Sequence, residues 1–174
     1  MSDLWEALVG EAAAESPLWA ESALPAAEQR RDVAFSELCE PRFALGVETI
    51  YEGYLLHFGR PRLFAPADAD TALLLGDYLY AHGLVRIAET GSVDAVNDLA
   101  ELISLCARAQ ADGTDGDWAV WAATASSLGA GTLEAPRASL RETRDASALA
   151  HAARVVAGDE AVERARVAHD LHVG

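Results

Sequence analysis

Lysine is absent from this sequence, and all thirteen of its basic residues are arginine. Set against 28 acidic residues, they leave a net charge of −15. Binding to nucleic acid or to an anionic lipid surface needs clustered basic residues, and there are none, so both partner classes are excluded. Cysteine is nearly absent as well. Cys39 and Cys106 stand alone, with no Cys-x-x-Cys and no ligand spacing, which predicts two buried thiols in a reducing compartment. Long apolar runs are missing too. The longest stretch without a formal charge, Trp118 to Leu133, is diluted by Ala, Ser, Thr and Gly. A membrane span needs about 20 strongly apolar residues, so none is expected. The opening Met-Ser-Asp-Leu-Trp-Glu is acidic and lacks the basic segment of a secretion signal, which predicts a cytoplasmic protein. There is no nucleophile elbow, no Ser-His-Asp order and no phosphate-cradling glycine loop.

Apolar positions recur at helical spacing almost throughout, and strand-like alternation is absent. At 174 residues the chain is one domain long, enough to bury about 70% of the surface its unfolded form exposes. Asp3 opens a first helix with Leu4, Trp5, Leu8 and Val9 on one face, and Ser16-Pro17 begins a short turn. Pro25 opens a helix to about Glu40, and Pro41 opens the next, ending near His57 before Gly59. Asp68 and Asp70 precede a helix over about Thr71 to Glu89, and Gly91-Ser92 recaps a long one over Val93 to Ala111. Asp112 to Asp117 reads as a mobile loop, Asp117 caps Trp118 to Leu128, and Pro136 begins helical sequence to about Ala157. Gly158-Asp159 caps a last helix to about Leu171. The expectation is all-α: one domain over residues 1–174, built of about eight helices.

Some polar and aromatic positions allow chemistry, each beside a plainer reading. Glu48 and Glu52, four apart on one helix face, could share a divalent cation, although such pairs usually face solvent. His169 and His172 flank Asp170 and could ligate a metal; in the last turn of a helix, imidazolium also suits the dipole's negative end. Trp118 and Trp121 form an aromatic stripe best read as core or interface packing, with ligand stacking as the alternative.

The segment Leu73-Leu74-Leu75-Gly76-Asp77-Tyr78-Leu79-Tyr80-Ala81 resembles the Leu-x-Gly-Asp-Tyr-Leu-x-Ala helix of trans-isoprenyl diphosphate synthases. Leu84 to Gly91 is similar to the end of that helix, Leu99 to Cys106 to the next one, and Ala119 to Gly131 to the family's Leu-Gly-Ala segment. Counting back by the family's spacing places its first aspartate-rich motif, Asp-Asp-x-x-Asp, on Glu48-Thr49-Ile50-Tyr51-Glu52. The turn that follows then falls without a gap on Gly59-Arg60-Pro61. The resemblance covers roughly residues 36 to 131. It implies an isoprenoid-synthase-like helical core, truncated, with Glu48, Thr49, Glu52 and Arg60 as a degenerate metal and diphosphate motif.

The departures are pointed. In the family these aspartates hold Mg²⁺ against the allylic diphosphate, and Thr49 removes one ligand while glutamate lengthens the outer arms. The family's diphosphate-binding lysine falls on Asp117, which would repel. No second Asp-Asp-x-x-Asp follows in Thr132 to Gly174, and the upstream Gly-Gly-Lys-x-x-Arg-Pro is absent. Short, motif-poor chains of this kind resemble the small non-catalytic subunits of hexaprenyl and heptaprenyl diphosphate synthases. The resemblance therefore implies a pseudoenzyme or regulatory subunit of isoprenoid biosynthesis, pairing with itself or with a catalytic synthase subunit around a prenyl diphosphate. A divergent Mg²⁺-dependent prenyltransferase and a helical scaffold derived from the fold are the alternatives. No catalytic residue is assigned, and Mg²⁺ is the one cofactor the resemblance admits. Phe43 would wall off the growing prenyl chain or simply pack in the core. Gly76, Tyr78, Leu79, Gly83 and Leu102 would lie on dimer-forming helices, the two glycines permitting close approach of another backbone.

Overall fold

The computed structural model describes residues 3–173, and among them the fold is all-helical. Nine α-helices follow one another: α1 (Leu4–Glu15), α2 (Pro17–Ser22), α3 (Ala44–Phe58), α4 (Ala69–Glu89), α5 (Val93–Asp112), α6 (Asp117–Ser126), α7 (Glu134–Thr143), α8 (Ser147–Ala157) and α9 (Asp159–Val173). Two 3₁₀ turns, Ser36–Leu38 and Pro41–Phe43, lead into α3. Among the described residues no helix is long and apolar enough to cross a membrane.

Capping residues set most of the starts. The side chains of Asp3, Ser16, Asp68 and Ser92 accept hydrogen bonds from the backbone N–H groups of Trp5, Leu18, Thr71 and Ala95, which helix geometry leaves without partners. Gly113, left-handed at φ 64°, ends α5.

Two expected helices come out differently. Residues 25–40 are not helical beyond the short 3₁₀ turn. The chain from Ser22 to Arg30 runs alongside residues 62–65 instead: Leu24 N–H donates to Leu63 O, Arg30 N–H to Arg62 O and Ala65 N–H to Ser22 O, beside an isolated antiparallel bridge between Ala23 and Phe64. Pairing with a distant segment overrides the helix propensity of Ala-Ala-Glu-Gln-Arg-Arg. The sequence from Pro136 to Ala157 is two helices, because Arg144 turns left-handed (φ 61°) and Asp145 starts the next by accepting from Ser147 N–H.

α3 is the axis of the molecule, with every residue from Gly46 to Leu56 buried. One core surrounds it on the side of α5, α6, α8 and α9, centred on Phe35, Tyr51, Tyr54 and Trp121. A second lies between α1 and α4, around Trp5, Leu8, Leu63, Phe64, Leu75 and Leu79. α3 and α4 pack antiparallel through two reciprocal glycine pairs. A Cβ placed on Gly53 would sit 2.9 Å from Gly76 O, and one on Gly46 would sit 3.3 Å from Gly83 O. Side chains at these positions would drive the helices apart. Gly76 and Gly83 therefore do serve close backbone approach, but the backbone is that of α3 in the same chain. Leu79 and Leu102 are buried inside the protomer as well, and Tyr78 stacks on Trp19. Gly76, Leu79, Gly83 and Leu102 are thus buried within the protomer and offer no surface to a second one, whereas Tyr78 is half-buried.

Candidate functional site

The glutamates of the aspartate-rich position do not face solvent. Glu48, Thr49 and Glu52 are fully buried on α3, and so is Arg62, which enters from the turn after α3. Glu52 Oε1 accepts from the backbone N–H groups of Arg62 and Leu63, both at 2.8 Å, and its Oε2 accepts from Arg62 Nε at 3.0 Å. Arg62 Nη2 lies 2.8 Å from Glu48 Oε2, an ion pair without hydrogen-bond alignment, so neither Glu48 oxygen accepts a hydrogen bond. Arg62 Nη1 donates to Asp32 O at 2.7 Å, and the guanidinium lies over the rings of Tyr51 and Trp5, 4.8 and 5.0 Å from their centroids. Thr49 donates to Leu45 O at 2.7 Å and points its hydroxyl back along its own helix.

The electrostatics are those of a closed ionic box. Burial alone would favour neutral Arg62, but Glu48 and Glu52 outweigh it and hold the guanidinium charged. The cation that these carboxylates take is therefore part of the chain. Mg²⁺ does not fit. Both carboxylates that would ligate it are already paired with Arg62, and among the described residues no group of three or more His, Cys, Asp or Glu is placed to hold a metal.

Arg60, expected beside the glutamates, is exposed and points elsewhere. Its side chain donates to Leu171 O at 2.6 Å and its backbone N–H to His172 O at 2.8 Å, so it clamps the end of α9. Phe43 is a fully buried core residue with Arg42 over its ring.

A second polar cluster lies deeper in the α3–α6–α9 core. Tyr51 O–H meets His169 Nδ1 at 3.0 Å, His169 Nε2 lies 3.3 Å from Asp117 Oδ2, and Tyr54 donates to the same carboxylate. Gln110 Nε2 bridges Tyr54 and Asp117 at 3.0 and 3.2 Å. Burial would raise the Asp117 carboxyl, but His169, Tyr54 and the Trp118 N–H bring it down to about 2. The Tyr51 and Tyr54 hydroxyls are pushed up by burial and by the nearby carboxylates. His169 thus sits between the Tyr51 hydroxyl and the Asp117 carboxylate, with its Nε2 near Asp117 but making no aligned hydrogen bond.

His169 and His172 thus do not face solvent at the helix end. Both are buried, and His172 Nε2 contacts Asp32 at 2.6 Å. Trp121 packs in the core on Phe35, and half-buried Trp118 lies beneath Arg154 and Arg166. Cys39 and Cys106 are unpaired thiols, Cys39 pushed by burial up to about 12 and Cys106 well above its ordinary value, so neither is a nucleophile at neutral pH. Sequence reading missed Arg62, although Arg-Leu-Phe directly after Gly-Arg-Pro places a lone cation in an apolar run. It also missed Tyr51 and Tyr54, whose spacing sets both rings on one face of α3. Against known proteins, no family model, no curated protein and no solved structure matches this chain.

Proposed function

We propose that the chain is a non-catalytic, regulatory subunit, a pseudoenzyme of the polyprenyl diphosphate synthase type, acting in isoprenoid biosynthesis through association with a catalytic subunit. The observation that carries this reading is the Glu48–Arg62–Glu52 box. The position where the resembled family keeps metal-binding carboxylates holds an internal cation, which keeps the helix packing of that site without its chemistry. For the same reason a divergent Mg²⁺-dependent prenyltransferase has no carboxylates left for its metal. Association belongs on the outward face of α4, where Leu73, Leu74 and Val85 are each more than half exposed. A helical scaffold or binding protein is the second reading, and an open groove beside α9 favours it.

Sedimentation velocity and copurification with polyprenyl diphosphate synthases test the subunit reading. A complex lost on Leu74→Glu with Val85→Glu, at unchanged helical content, is the expected result. A monomer that retains no synthase at tens of micromolar overturns it. Condensation of isopentenyl diphosphate by the isolated chain in Mg²⁺, abolished by Glu48→Gln at unchanged helical content, would make the glutamates catalytic instead.

A further inference from the structure

Eleven of the thirteen arginines lie within ion-pair distance of a carboxylate, as expected in a chain so acidic. Among the described residues, Arg30 and Arg60 have no carboxylate partner, and both line the same open groove of about 1130 Å³ beside α9. Its four carboxylates are already engaged. Asp32 contacts His172 at 2.6 Å, Asp159 lies 3.7 Å from Arg154, Glu160 lies 2.9 Å from Arg164 and Glu163 lies 3.8 Å from Arg166. What remains without a carboxylate partner is Arg30 and Arg60 at one wall, beside an apolar floor of Val167, Ala168 and Leu171, with Val167 and Leu171 more than half exposed. Arg60 spends one donor on Leu171 O, and among the described residues its other side-chain N–H groups have no partner.

We propose that this groove binds a single-chain amphiphile with an anionic head, the head held by Arg30 and Arg60 and the chain lying on Val167, Ala168 and Leu171. Ligand sites are commonly about 300–1,000 Å³, so the groove has room for a chain of this kind. The overall charge of −15 repels free anions, so the head alone gains little from the arginine pair. Burial of the tail supplies the rest, at about fourfold in affinity per buried methylene. The site is separate from the Glu48–Arg62–Glu52 box and does not depend on a synthase partner. Its test and the association test therefore fail independently.

Isothermal calorimetry below the micelle concentration tests it with octyl, decyl and dodecyl phosphate, laurate, inorganic phosphate and dodecyl maltoside. The expected result is one alkyl phosphate per chain, tightening about two- to fourfold per methylene, with inorganic phosphate and maltoside at least about tenfold weaker. Laurate against dodecyl phosphate decides whether a carboxylate or a phosphate head is preferred, and either preference supports the site. Arg30→Gln leaves the Arg60 clamp on α9 intact and weakens dodecyl phosphate by about tenfold, one charge-assisted hydrogen bond. Val167→Asp, at an exposed position, removes the tail contact by a separate route. Equal binding of maltoside, or affinity unchanged in both variants at wild-type helical content, overturns the proposal. So does the absence of saturable binding by wild type.

Discussion

Removing Arg62 is the sharpest perturbation of this fold. It takes away the one cation among the described residues that touches two fully buried carboxylates, together with a bond to Asp32 O and two ring contacts. Breaking a buried ion pair from one side costs about 3–5 kcal/mol, because the surviving charge is left in a low-dielectric interior. Here two charges survive, and Glu52 keeps only its two backbone donors. Arg62→Met should therefore cost at least about 4 kcal/mol, a large fraction of the 5–15 kcal/mol (about that range) typical of a domain. Arg62→Lys should recover little, since an ammonium cannot reach Glu48, Glu52 and Asp32 O in the guanidinium's fork. The assay is urea unfolding followed by far-ultraviolet circular dichroism, with the slope checked for constancy. A control runs the other way. Arg62→Met combined with Glu48→Gln and Glu52→Gln should regain much of the loss, because neutral amides do not carry the desolvation penalty. An Arg62→Met variant within about 1 kcal/mol of wild type at pH 7 would refute the account of the box as a buried charge cluster.

Gly53→Ala should destabilise by about 1–3 kcal/mol in the same assay, since the new methyl meets Gly76 O at 2.9 Å. Gly10→Ala, mid-helix with nothing within 4 Å, should stabilise by about 0.5–1 kcal/mol. Asp117, held near 2 against an ordinary 3.8, contributes stability that is present above about pH 4 and lost as pH falls towards 2. Acid titration of unfolding should show this slope in wild type and a flatter one in Asp117→Asn. His172, lowered by burial despite Asp32, favours the neutral imidazole, so folding should weaken as pH drops below about 6.5. His172→Gln should flatten that segment of the stability curve.

Helix starts were legible wherever a polar side chain could cap from within a few residues, as Asp3, Asp68 and Ser92 do. The stretch from Pro25 to Glu40 was not, because its conformation is set by pairing with residues 62–65 and by Asp32 O receiving Arg62. The glutamate pair was legible as a site for a cation. That the cation is Arg62 depends on how the chain turns after α3, which helical periodicity does not encode. Gly76 and Gly83 announced a close backbone, but spacing alone does not say which, and the answer was a matching pair seven apart on α3. His169 carried no sequence signal of its partners, since Tyr51 lies 118 residues upstream.

That last separation has a consequence for synthesis. α3, Arg62 and α4 leave the ribosome together, so the ionic box and the glycine pairs close among near neighbours in the chain. Tyr51 and the aromatic face around it must wait for α9. At about 5–20 residues per second the wait is roughly 6–24 s, with the α9-facing side of Phe35, Tyr51 and Tyr54, later covered by His169, open throughout. A nascent chain stalled after α8 should therefore present an apolar surface that chaperones recognise, and arrival of α9 should withdraw it in a single step.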